Sequence, residues 1–326
     1  LHYPLRRQRQ MCIRDRFLGI PFIGNSILRA NGDAKTPSLL VAFSAIVNAV
    51  LDPILIFGRY GFPEMGVAGA ALASVISTVA FLLASLWVLI FRDNLLTSIG
   101  HSLSSMISSW KQVLHVGLTS FAWNLFAPVS SALVTALVCT YGEEAVAAYG
   151  LAGRIEALVI VLLMALGGAT APYVGQNYGA KKFDLIRSTI KYGIKYSLGF
   201  SISCLIFFLA VSQYIIPFFT DSAEITQIAI SYFSVVSFSY PFVTIGMTTG
   251  RIMQGLGRGT PLLFITLIRV ILINAPLGWY LRRVLELPVE SVWYCILFSS
   301  VIASSISIVW MMRIIKEQEN KISSVT

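Results

Sequence analysis

Apolar stretches long enough to cross a bilayer recur from one end of this chain to the other, broken only by Gly, Pro and charged turns. Inside hydrocarbon every backbone N–H and C=O must find a partner within the protein, so only helices or closed barrels span a membrane. Barrel strands alternate polar and apolar residues over about ten positions, whereas these runs are longer and apolar on all sides. They predict an all-α polytopic membrane protein. Composition agrees, with 56% hydrophobic residues, 12% charged residues and a mean hydropathy of +0.77. Cys12, Cys139, Cys204 and Cys295 are scattered and suggest neither a disulfide framework nor a metal site.

Spans are predicted near 17–29, 37–58, 66–91, 113–140, 146–174, 188–218, 227–252, 261–281 and 291–312, the first of them incomplete. Residues 1–16 stand apart. LHYPLRRQRQMCIRDR carries five arginines and passes into membrane sequence without a linker, and its MCIRDR reads as translated adapter DNA, although a basic juxtamembrane arm is the plainer alternative. This segment supplies +4 of the formal charge of +9, so the rest of the chain needs no nucleic-acid partner. The expected organisation is 17–91, a linker over 92–112, a second lobe over 113–315 and a tail over 316–326.

With the loop after the first span on the cytoplasmic side, that side collects Arg29, Lys35, Arg92, Lys111, Lys181, Lys182, Arg187, Lys191, Lys195, Arg251, Arg258, Arg313, Lys316 and Lys321, against Arg59, Arg282 and Arg283 opposite. Positive charge is retained on the cytoplasmic side, which predicts a multi-pass protein of the cell (inner or plasma) membrane with a cytoplasmic C-terminus. An internal repeat adds to this. PFIGNSILRANGDAKTP (21–37) is echoed by PFVTIGMTTGRIMQGLGRGTP (241–261), a span with Asn48 and Pro53 by one with Asn274 and Pro276, and GVAGAALAS by SVWYCILFS. The halves therefore read as parallel repeats about an axis along the membrane normal, an arrangement of transporters with the pathway between the halves.

Asp52, one turn after Asn48 and directly before Pro53, is the acidic residue deep inside an apolar span that calls for a reason. A charge at the bilayer centre costs roughly 2.5–3.5 kcal/mol on insertion scales, and such residues face a cavity, a partner or a transported ion. Residues at i and i+4 share a helix face, and Pro53 frees the Ala49 carbonyl, so three oxygens can approach one point. Such a site suits a proton or a transient sodium ion. The alternative is that Asp52 caps a helix segment broken at Pro53, with Asn48 bridging two helices.

PFIGNSILRANGDAKTP, NAVLDPILIFG with GVAGAALAS, AAYGLAGRIEAL followed by APYVGQNYGAKKF, and IMQGLGRGTPLLFITLIRV together resemble the multidrug and toxic compound extrusion (MATE) family over residues 17–316. That family has twelve helices in two six-helix lobes, so the resemblance implies a bundle of which about eight helices and part of a ninth are present. It also implies secondary active export of amphipathic, cationic organic compounds in exchange for protons or sodium, with no cofactor and a monomeric protein in the bilayer. In the branch of DNA-damage-inducible proteins, coupling uses an Asp of the first helix with an Asn and an Asp of the fifth. Asn48 and Asp52 match the latter pair, and Ser74 falls where a sixth-helix Thr is often found. The other bacterial branch uses acids in its seventh and tenth helices, which VGLTSFAWNLFAPVSS and SYPFVTIGMTTGRIMQ lack.

Beyond Asp52, Arg154 and Glu156 form a charged pair at depth, two residues apart and so on different faces, with a role near the outer interface or at the substrate. Arg269 is expected to snorkel toward the membrane surface. Trp123, Tyr149 and Met247 are candidate cleft residues, packing being the alternative for each. Gly66, Ala70 and Ser74, and Gly69, Ala73 and Ser77, predict close helix packing. An enzyme is disfavoured by the lack of paired metal-spaced histidines, GxSxG or an Asp-rich diphosphate motif in the spans. A lipid-linked saccharide flippase of the same superfamily is the nearer rival.

Overall fold

A computed structural model describes residues 19–93 and 103–323. All regular elements among the described residues are helical, in keeping with the expected class. Among the described residues eight helical stretches are long and apolar enough to cross a membrane: Lys35–Phe57, Val67–Arg92, Gly117–Tyr141, Glu143–Gly179, Phe183–Phe218, Ala223–Gly255, Thr260–Arg283 and Glu290–Asn320. They correspond to the eight complete spans read from the sequence. Residues 1–16 lie outside the described part, as do the first two residues of the incomplete span.

The chain divides into two compact units between Ser102 and Leu103. In the first, α1 covers residues 19–30, α2 Lys35–Phe57 and α3 Val67–Trp87, the last running on through a wider π-helical turn at Val88–Arg92. Asp33 opens α2: its Oδ1 accepts the Thr36 amide (3.0 Å), its Oδ2 accepts the Thr36 hydroxyl (2.5 Å), and Arg92 pairs with it at 3.0 Å. The hydroxyl and amide of Thr36, with Arg92 beside them, hold the Asp33 carboxyl below its ordinary range. At the other end of α2, Gly58 takes a left-handed φ of +65° and closes the helix with a bond from its N–H to the Ile54 carbonyl.

Helices α2 and α3 form an antiparallel hairpin. The Met65 amide bonds the Leu55 carbonyl at the tight end, and the Ser44 hydroxyl bonds the Ser77 carbonyl farther along. Of the two small-residue lines, Gly69, Ala73 and Ser77 are buried and Gly66, Ala70 and Ser74 are less so. Gly69 has no room for a side chain, because a Cβ there would meet the Leu55 carbonyl carbon at 2.6 Å.

The second unit contains α4 (Leu103–Val138), α5 (Glu143–Gly168), α6 (Thr170–Gly179), α7 (Phe183–Ile215), α8 (Ala223–Val236), α9 (Tyr240–Gly255), α10 (Thr260–Leu267), α11 (Ala275–Arg283) and α12 (Glu290–Ser323). Several spans are built from two of these. Helices α8 and α9 are joined by a 3₁₀ turn at Ser237–Ser239 before Pro241, and α10 and α11 by a π-helical run at Ile268–Asn274 before Pro276. Proline cannot donate the N–H that an uninterrupted α-helix needs, so these changes of winding fall where proline sits.

Two apolar clusters fill this unit. One gathers Val138, Ala148, Phe208, Phe233 and Trp293, and the other Val174, Ile252, Met253 and Met311. The end of α12 is tied to three other segments: Tyr178 donates to Gln318 (2.8 Å), Arg187 pairs with Glu319 (2.9 Å) and Arg258 with Glu317 (3.4 Å). Cys139, Cys204 and Cys295 are free thiols.

Candidate functional site

Asp52 lies in the last turns of α2, half-buried, and its Oδ1 is fully enclosed without a hydrogen-bond partner. Buried polar atoms are nearly always paired, and leaving one unpaired costs about 1–3 kcal/mol, so an orphan carboxylate oxygen marks a place where a proton, an ion or water is wanted. Asn48 sits one turn earlier on the same helix and is also half-buried. The register of the α2–α3 hairpin sets Ser74 level with Asn48 and Gly69 level with Asp52, since Ser44 meets Ser77 and Leu55 meets Met65. Among the described residues no hydrogen bond joins Asp52, Asn48 and Ser74 to one another. They share a neighbourhood of the hairpin and remain unlinked by direct bonds.

A second orphan in this unit escaped the sequence reading. Asn25 of α1 is 5% exposed and its Oδ1 also lacks a partner. The signal was present as the Asn inside the apolar start of PFIGNSIL, four residues after Pro21, but the repeated motif drew attention to the basic Gly turn instead.

In the second unit the five further candidates separate into three places. Arg154 is exposed on α5. Glu156 points the other way and accepts a 2.6 Å hydrogen bond from the Tyr232 hydroxyl of α8. The two do not act as a pair, as their spacing implied. Glu156 lies thirteen residues into α5, about 20 Å from its start at 1.5 Å per residue, so its depth is well inside the span rather than at its outer edge. Tyr149 stacks on Trp293 (centroids 6.0 Å apart, planes at 12°) and meets Tyr232 edge-on at 5.9 Å, while Tyr232 meets Trp293 edge-on at 4.9 Å. The Trp293 indole N–H donates to the Ser231 hydroxyl at 3.2 Å. Tyr149 and Glu156 thus belong to one aromatic nest around a carboxylate.

Trp123 and Met247 belong to another place. With Met164, Gly167, Arg251 and Leu262 they close around a space no larger than one water, about 10 Å³. The Arg251 guanidinium lies 5.5 Å from the Trp123 ring centroid, and the Trp123 N–H donates to the Thr266 hydroxyl at 3.1 Å. Arg251 also donates to Gln254 at 3.2 Å.

Arg269 lies in the same unit. It is half-buried in the π-helical run, and its charge and that of Glu156 act on each other at a range longer than an ion pair.

Comparison with known proteins agrees with this architecture. The MatE family model matches residues 119–280. The chain is 27% identical over 256 residues, 78% of its own length, to the FAD transporter of Shewanella oneidensis, and 27% identical over 283 residues, 85% of its length, to the probable multidrug resistance protein YoeA of Bacillus subtilis. It spans 57% and 60% of those two relatives. A crystal structure of MATE in the bent conformation superposes with a TM-score of 0.87 at 26% identity, covering 98% of this chain and 70% of that one. An outward-facing multidrug resistance MATE transporter gives 0.82 at 26% identity, covering 91% and 66%. Repeat, helix order, family match and superposition converge, and the chain belongs to the MATE family of transporters.

Proposed function

We propose that the protein is a secondary active antiporter that exports amphipathic, cationic organic compounds in exchange for H⁺ or Na⁺, with Asp52 as the coupling residue and Asn48 and Ser74 as its neighbours. The observation that carries the reading is the enclosed, unpartnered Oδ1 of Asp52, directly before Pro53 inside the continuous helix α2. A carboxylate left unsatisfied in hydrocarbon is paid for by a ligand that comes and goes, and a proton or a hard cation is the ligand its chemistry takes. Filling and emptying that site changes the charge at the end of α2, which biases two conformations as alternating access requires. The cytoplasmic C-terminus and the cell membrane complete the reading and rest on the placement of Lys and Arg.

The first test is gradient-driven efflux of a fluorescent cationic dye by cells expressing the complete reading frame, with Asp52→Asn beside the wild type. Efflux at least tenfold lower in a normally expressed variant supports coupling at Asp52, and dependence on the proton or the sodium gradient identifies the ion. Unimpaired efflux by Asp52→Asn overturns it.

A second reading is export of a large anionic aromatic metabolite. It is supported by the name of the Shewanella oneidensis relative and by Arg251 lying over the Trp123 face, a cation and a ring of the kind that a flavin dinucleotide would engage. Efflux of FAD without efflux of the dye would select this second reading, and efflux of neither would favour the lipid-linked saccharide flippase.

A further inference from the structure

The second unit holds a carboxylate that the coupling scheme above does not use. Glu156 receives one short hydrogen bond, from Tyr232, and no Lys or Arg comes within 4 Å of it in an ion pair among the described residues. The groups facing it are Tyr149 on its own helix, Tyr232 on α8, Tyr240 on α9 and Arg269 on the π-helical run. Three phenols and one cation at longer range make a setting in which a carboxyl can exist with or without its proton. A structural ion pair would instead have the cation in contact.

A polar column leads away from this group. On α9 and the turn before it, Ser237, Tyr240, Thr244 and Thr248 follow one another at helical spacings and are each no more than 2% exposed. The Ser237 Oγ, Tyr240 hydroxyl and Thr244 Oγ1 are enclosed without hydrogen-bond partners, with Ser237 and Tyr240 facing each other outside hydrogen-bond geometry. Thr248 ends the series, its hydroxyl 3.4 Å from that of Ser197 on α7. From Ser237 to Thr248 is eleven residues, about 16 Å of helix, and the column runs toward the end of α9 that leads into the Arg258 turn. Hydroxyls buried in an apolar bundle are ordinarily bonded, and a line of three that are not is what a file of water molecules would satisfy.

We propose that Glu156 is a proton-binding site of the second unit, distinct from Asp52, and that the Ser237–Tyr240–Thr244–Thr248 hydroxyls form the hydrated path by which its proton exchanges with one face of the membrane. On loading, a proton from the file joins a carboxylate oxygen of Glu156. The Tyr232 phenol keeps its own proton and reorients from donor to the charged oxygen to neighbour of the neutral acid. On release the proton returns to the file. The site takes a proton rather than a metal ion because its surroundings offer phenol O–H donors and a cation in place of further hard oxygen acceptors.

The test is infrared difference spectroscopy of the purified full-length protein in lipid vesicles during a pH titration, read at the carboxylic C=O stretch. Wild type should show a protonatable carboxyl that disappears in Glu156→Gln and persists in Asp52→Asn, so failure here is distinguishable from failure of the coupling assignment. Tyr232→Phe should keep the band and displace its midpoint. Thr244→Val should slow proton exchange with the bulk at least threefold at an unchanged midpoint. A titrating band that survives Glu156→Gln, or exchange unaffected by Thr244→Val in a protein of wild-type thermal stability, overturns the proposal.

Discussion

In α2 the acid and the proline are neighbours, Asp52 directly before Pro53, the helix runs through both without a change of winding, and the carboxylate oxygen is enclosed alone. In the stretch that repeats it, α10 through α11, the residues beside the change of winding are Asn274 and Pro276, Asn274 is buried with its own Oδ1 unpartnered, and the charge is the cation Arg269. The acid opposite that cation comes from α5 and is satisfied by Tyr232. One unit therefore places its acid and its proline on a single unbroken helix, and the other spreads acid, hydrogen-bond donor, cation and change of winding over α5, α8 and the π-helical run. A concentrated, unsatisfied group changes its energy sharply with whatever enters beside it, while a distributed one keeps its geometry when any one contact moves.

The largest effect should come from exchanging the two polar residues. Asp52→Asn makes the first unit resemble the second at this position and should lower gradient-driven efflux at least tenfold, whereas Asn274→Ala should change it less than about threefold in the same assay. Equal losses from both would erase the distinction between the two copies.

Packing offers a second contrast. At Gly69 an added Cβ meets the Leu55 backbone, which cannot move aside, while at Gly278 of α11 it meets a terminal methyl of Leu137. Gly69→Ala should cost about 1–3 kcal/mol, as overpacking does, and lower the thermal midpoint of the purified protein, and Gly278→Ala should cost clearly less. The reverse order would mean that the hairpin yields more readily than the α4–α11 contact.

A third contrast concerns the cation. Arg269→Gln removes the charge that acts on Glu156 and should alter the pH dependence of efflux while leaving the effect of Asp52→Asn intact. Overlap of the two effects in the double variant would join what the geometry separates.

The smallest effect belongs to Asp33. Its carboxyl is held below the ordinary value of 3.8, so the stability it contributes is present at neutral pH, declines as pH falls below 3.8 and is gone once pH passes the lower folded value. Asp33→Asn should therefore be slightly less stable than wild type near pH 7 and indistinguishable from it under strong acid, measured by thermal unfolding in detergent.

The spans were legible because each is a local signal, an apolar run, and the enclosed Asp52 stood out as one carboxylate in an apolar stretch. The nest around Glu156 was not. It joins residues 76 positions apart, and no spacing rule on one helix reports that Tyr232 on another will meet it. The hydroxyl column was written in the sequence as Ser237, Tyr240, Thr244 and Thr248 at intervals of three and four, yet only burial distinguishes such a stripe from an ordinary polar face.

The winding at Ile268–Asn274 has one more consequence. A π-helical turn holds about one residue more than an α-helical one, and each residue in an α-helix accounts for about 100° of rotation. The surplus is slack that can travel: if the wide turn slides by one residue past position 269, the guanidinium swings about the helix axis by that angle while both ends of the helix stay anchored. The distance between the cation and Glu156 then becomes a matter of helical phase, adjustable without moving any helix as a whole.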